Sequence, residues 1–163
     1  MNRQISAPYG LNLQQAAEGA IATYTREKAV AMTCKFRVVY SFDYHGIEIL
    51  IDDATTADSL VAEITRQHKF RADWYDTRPD VPNTHTQEQH GKPGESLYDA
   101  VPSSVQCAQR WGNRWLDNDD GACVEHVFEF NGFKVAFNPW KVGEGARIQH
   151  EIEVQLAKAG QPA

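Results

Sequence analysis

The stretch that most constrains this chain is Val124 to Asn138, which reads V-E-H-V-F-E-F-N-G-F-K-V-A-F-N. A two-residue type I′ turn needs positive φ at both central positions, and Asn131-Gly132 supplies the residue types that adopt it most readily. The register follows from the loop length. Phe130 faces Phe133, Glu129 faces Lys134, and Phe128 faces Val135. Val124, His126, Phe128, Phe130, Phe133, Val135 and Phe137 then share one apolar face, with Glu125, Val127, Glu129, Lys134 and Ala136 behind it.

A second hairpin is written earlier. Tyr40 and Phe42 alternate with Val39 and Ser41, and Ile47, Ile49 and Ile51 alternate with Glu48 and Leu50, across His45-Gly46. Phe42 to Asp52 overlays Phe128 to Asn138 class for class, and His tolerates the left-handed region. A helix-like segment precedes each hairpin, which raises a duplicated helix–hairpin unit beside the plainer reading of two unrelated aromatic hairpins.

Helical spacing marks three further segments. Leu13, Ala17, Ala20, Ile21, Tyr24 and Lys28 form a stripe between Leu11 and about Ala31. Thr55 and Asp58 read as a capping box for a helix running to about Tyr75, with Leu60, Val61, Ile64, His68 and Arg71 inward. Ser103 or Ser104 is expected to cap a shorter helix to about Leu116. Residues 1–10 read as loosely ordered, and 79–102 as a long polar loop broken by prolines and glycines. From Arg147 to Leu156 polar and apolar residues alternate, which predicts a C-terminal strand, although Ile148, Ile152 and Leu156 also fit a helix. The expected fold is α+β: one domain over residues 1–163. It has an antiparallel sheet of two hairpins (about 34–51 and 123–138) plus the C-terminal strand, and three helices on one face.

Composition bears mainly on partners. The net charge of −6 argues against general nucleic-acid binding, which needs a basic surface. No apolar run approaches the length that spans a bilayer, and the first residues lack the apolar core of a secretory signal. Three cysteines without close spacing, Cys34, Cys107 and Cys123, fit a reducing cytoplasm better than a disulfide framework.

Reactive constellations are sparse. Six histidines include no zinc-type spacing, so neither metal nor cofactor is expected. Asp117-Asn118-Asp119-Asp120-Gly121 opens like a calcium loop, but Ala122 and Phe128 occupy the positions where an EF-hand needs Gly and a bidentate acid. No nucleophile elbow or phosphate loop is present, and no catalytic residue is assigned. The leading expectation is a non-enzymatic protein-binding module, an inhibitor, adaptor or immunity-type factor of the kind phages and mobile elements carry against host defence. It would occupy another protein as a monomer or small homo-oligomer. Trp111, Trp115, Trp140, Asp117, Asp119 and Asp120 are its candidate contacts, because tryptophan anchors interfaces. One alternative is a small metal-independent enzyme or ligand-binding protein with a pocket near His126, Tyr40 and Trp140. Another is a nucleic-acid module using Arg66, Lys69, Arg71 and Trp74 on the Arg66–Arg78 helix, where cations mix with aromatics.

Overall fold

The computed structural model describes residues 1–35, 37–77, 85–117 and 124–161, the positions 114–117 through their backbone only. The chain divides into two compact units, residues 1–67 and 68–163. The architecture is α+β, with four helices and two three-stranded sheets among the described residues.

In the first unit, β1 (Asn2–Ser6) leads into α1 (Leu13–Thr33), then β2 (Val39–Tyr44) and β3 (Ile47–Ile51). The helix α2 (Ala57–Thr77) follows, and the division between units falls within it. β2 is central, pairing with β1 in parallel and with β3 antiparallel. His45 and Gly46 take φ of 48° and 92°, so the second hairpin has the two-residue turn expected of it. Tyr40, Phe42, Ile47 and Ile51 form the core with Ala16, Ala17 and Ala20 of α1 and Leu60 and Ile64 of α2. Asn12 caps α1 in a reciprocal box with Gln15.

The second unit repeats this order. β4 (His85–His90) leads into α3 (Leu97–Asp117), then β5 (Val124–Phe130), β6 (Phe133–Phe137) and α4 (Glu144–Lys158). β5 is central, parallel to β4 and antiparallel to β6. The register is the one Asn131-Gly132 requires, with Phe130 opposite Phe133 and Phe128 opposite Val135. The aromatic face packs on Leu97, Ala100, Val101 and Ala108 of α3 and on Ile148, Ile152 and Leu156 of α4. Both halves are therefore β-α-β-β-α, which extends the helix–hairpin repeat by a leading strand.

Several sequence expectations need correction. The expected C-terminal strand is the helix α4. Ile148, Ile152 and Leu156 are buried while Val154 and His150 are exposed, so the spacing of four, not two, finds the core. In place of the single antiparallel sheet there are two mixed sheets, and among the described residues the helices number four, where three were expected. β1 lies in a segment read as loosely ordered, and β4 lies inside the stretch read as a loop. Both are edge strands. They need supply only backbone hydrogen bonds to one neighbour, so little apolar alternation marks them. Helix α3 begins six residues before Ser103, capped by Ser96, whose hydroxyl accepts the Asp99 amide at 3.2 Å and donates to its carboxylate at 2.8 Å. Pro102 lies within that helix on its exposed side, where the missing N–H costs least. The α2 box is Thr56 with Ser59, one residue beyond the expected Thr55 and Asp58.

Candidate functional site

The second unit carries an open cleft of about 530 Å³, lined by the end of α2, the end of β6 and the start of α4. Its wall is built around Asn138, which is 5 % exposed. The Asn138 side-chain amide donates to the Ala72 carbonyl and to Asp76, both at 3.0 Å, and its oxygen accepts the Trp140 amide at 3.2 Å. Its backbone N–H donates to Glu144 Oε2 at 2.8 Å.

Glu144 and Arg147 close the free edge of β6. Asn138 follows directly on β6 and is two residues from Ala136, so in extended backbone their polar groups point the same way. Arg147 donates to the Ala136 carbonyl at 2.7 Å, while Glu144 takes the Asn138 amide. Two side chains of α4 thus stand where a further strand would pair. They bind each other too, Arg147 Nε donating to Glu144 Oε1 at 2.8 Å and Nη2 to Oε2 at 2.9 Å. Burial alone pushes the Glu144 carboxyl up. The Arg147 hydrogen bonds, the Asn138 amide and the charges of Arg147 and Lys141 together outweigh it, and the carboxyl sits below the ordinary glutamate range. Arg147 is raised in return, first by Glu144. Asp76 is also lowered, first by the Asn138 amide, against burial, with Lys141 at 3.2 Å adding to the effect. Beside the pair Asp76–Lys141, Val142 on the cleft rim is 98 % exposed.

Behind this wall lies His126, 1 % exposed on β5. Trp140 and Trp111 meet its ring edge-on at centroid distances of 5.7 and 6.2 Å, and Tyr75 and Phe137 lie at 5.9 and 6.1 Å. Its Nδ1 is 3.4 Å from Gln87 Oε1. Gly112 of α3 lets this packing close: a Cβ there would stand 2.6 Å from Trp140 Cη2 and 3.2 Å from His126 Nε2.

The sequence candidates fall as follows. Trp140 is buried and Trp111 half-buried, both against His126. Asp117 ends α3; its side chain and that of Trp115 lie outside the described residues, as do Asp119 and Asp120. Tyr40 belongs to the core of the first unit, edge-on to Tyr24. Along α2, Arg66 pairs with Glu63 at 2.6 Å and Lys69 with Asp73 at 2.6 Å, whereas Arg71 is buried and Trp74 half-buried. The Arg66 pairing holds the Glu63 carboxyl down to about 2. Arg78 lies outside the described residues. Sequence reasoning missed Asp76, Asn138, Lys141, Glu144 and Arg147 as a group. Reading 147–156 as a strand dispersed them, and the helical spacing of Ile148, Ile152 and Leu156 was the signal that would have gathered them.

Comparison of the chain with protein-family models, with curated proteins and with solved structures finds no match. Among the described residues no helix is long and apolar enough to cross a membrane.

Proposed function

We propose that this protein is a non-enzymatic binding module that acts by occupying a partner protein, as an inhibitor, adaptor or immunity-type factor does. The observation that carries the reading is the cleft wall. Its carboxylates are held ionised by fixed partners, with values moved below the ordinary range. A general acid or base works best with a value near the operating pH, so this tuning suits permanent charge and not proton transfer. Fixed pairs of opposite charge beside an exposed apolar tip leave little net field to steer a partner, but their pattern fixes its register once it docks. Val142 is the apolar tip, and Lys141 and Asp76 are the flanking charges.

Packing supports the same reading from behind. Trp140 anchors the loop from inside, so Lys141 and Val142 are presented on a rigid base. His126, around which the alternative pocket was expected, is enclosed by rings and an amide. The cation-and-aromatic texture of α2 is less favourable to nucleic acid, because Arg66 and Lys69 are each neutralised by a neighbour.

The test is affinity capture from the native host lysate with wild type and with the double variant Val142→Asp/Lys141→Glu. Both side chains are exposed, but Lys141→Glu faces Asp76 and Glu144, so Val142→Ser/Lys141→Gln is carried beside it as the variant expected to melt with the wild type. A salt-sensitive partner retained by wild type and lost by the variant supports the proposal. Non-specific carry-over alone, or capture indifferent to the two substitutions, overturns it.

A further inference from the structure

On the sheet face opposite the second core, Glu88 and His90 of β4 and Glu129 of β5 converge. Each offers a donor atom within 4.8 Å of the others. The arrangement follows from register. His90 and Glu129 are directly paired across the parallel strands, and Glu88 is two residues from His90, so all three share one face. His90 Nδ1 lies 2.7 Å from Glu129 Oε2, and His90 Nε2 lies 3.2 Å from Glu88 Oε1.

The geometry points to a binding site for a divalent transition cation of the zinc class, held by Glu88, His90 and Glu129. A histidine binds one ion through one ring nitrogen, and donors bonded to such an ion at about 2.0–2.2 Å lie roughly 3–3.5 Å from one another, so the set taken one atom per residue closes inward from 4.8 Å by side-chain rotation. One imidazole with two carboxylates suits zinc or manganese, whereas magnesium prefers oxygen alone. The carboxylates are already oriented from outside the set. Glu129 Oε1 accepts the Gly132 amide at 2.5 Å, and Glu88 Oε2 accepts from Lys134 at 3.0 Å. Lys134 therefore does two things: it aims Glu88, and it supplies a positive charge that a bound cation must tolerate.

An independent observation comes from the repeat. The overlay of the hairpins and the parallel registers put Gln4, Ser6, Asp43 and Glu48 of the first unit at the positions of Glu88, His90, Glu129 and Lys134. The same frame thus carries the imidazole and both carboxylates in only one half. Cross-strand geometry alone does not demand them.

Isothermal titration of the full chain with zinc chloride at pH 7.5, with magnesium chloride as comparison, tests the site. The expected result is one saturable equivalent of zinc, with magnesium at least tenfold weaker. His90→Ala and Glu129→Gln are each expected to weaken zinc at least tenfold while the metal-free melting temperature holds. Lys134→Met is expected to tighten it by removing the competing charge, and His85→Ala, on the other face of β4, to leave it unchanged. Absence of saturable zinc binding overturns the site. So does a His90→Ala variant that binds like wild type, or a His85→Ala variant that loses as much as His90→Ala.

Discussion

After β3 and after β6 the chain leaves its sheet from matched positions, Asp52 and Asn138, and solves the same problem differently. In the first unit the carboxylate of Asp52 is exposed and accepts the Ala54 amide and the Thr55 hydroxyl, both at 2.9 Å, while Thr55 Oγ1 accepts the Asp52 amide at 3.0 Å. A short polar turn then delivers Thr56 as the cap of α2. In the second unit the matched amide goes to the buried carboxylate of Glu144, and Asn138 itself is buried. Gly143, with φ of 84°, precedes α4 without a side-chain cap. The first exit is local chemistry that water can replace. The second is tertiary chemistry, knitted to α2, β6 and α4, and it leaves a cleft with fixed charges. The contrast teaches that a repeated frame can place a site wherever one of its turns stops serving only itself.

Four experiments break or sharpen that contrast. The largest effects should be equal in the two halves. Phe42 and Phe128 occupy matched central-strand positions and are wholly buried, so truncation of either to alanine is expected to cost about 3–5 kcal/mol in urea unfolding. A gap above 2 kcal/mol between them means the two cores are not built alike. The exits should then differ. Asn138→Ala takes a donor from the Ala72 carbonyl and from Asp76 and strands the Trp140 amide, and is expected to cost about 2–4 kcal/mol, whereas Asp52→Ala, in water, costs about 0.5–1 kcal/mol. Equal costs break the comparison.

Helix glycines give opposite signs. Gly112→Ala drives a methyl group into Trp140 and is expected to destabilise by about 1–3 kcal/mol. Gly19→Ala in α1 meets open space and is expected to stabilise by about 0.5–1 kcal/mol, readable as a rise in melting temperature. The smallest effect is a pH slope. The folded Glu144 value lies below the ordinary 4.5, so its contribution is complete above 4.5 and is lost as pH falls from there through the lowered value. Denaturation midpoints measured from pH 6 downward should fall more gently in Glu144→Gln than in wild type. Thr55→Ala, at the matched amide, should leave the wild-type slope intact.

What the sequence made legible is what local geometry dictates. Asn131-Gly132 and His45-Gly46 each announce a turn whose φ values few residue types accept, and the turn carries register and face with it. Helices with an apolar stripe were legible for the same reason. β1 and β4 were not, because an edge strand contributes hydrogen bonds that leave little trace in side chains. The residues 147–156 satisfied both periods, and only the exposure of His150 and Val154 decides between them. The cleft was illegible for a further reason. Asp76, Asn138 and Glu144 come from three elements and meet only after α4 is laid against β6. Trp140 and Trp111, read as outward anchors, instead enclose His126, since a ring that fills an interface fills a core equally well.

The parallel pairing of the leading strands has a consequence in time. A two-residue hairpin closes within about 1–10 μs, since its partners are neighbours in the chain. β1 and β4 must each wait until a whole intervening helix has folded back, and the chain entropy of that closure is met before any hydrogen bond repays it. Assembly in each half is therefore expected to begin at the turn and finish at the leading strand. During that interval the outer flank of β2 or β5 stands open, and a nascent chain is most exposed to mispairing there.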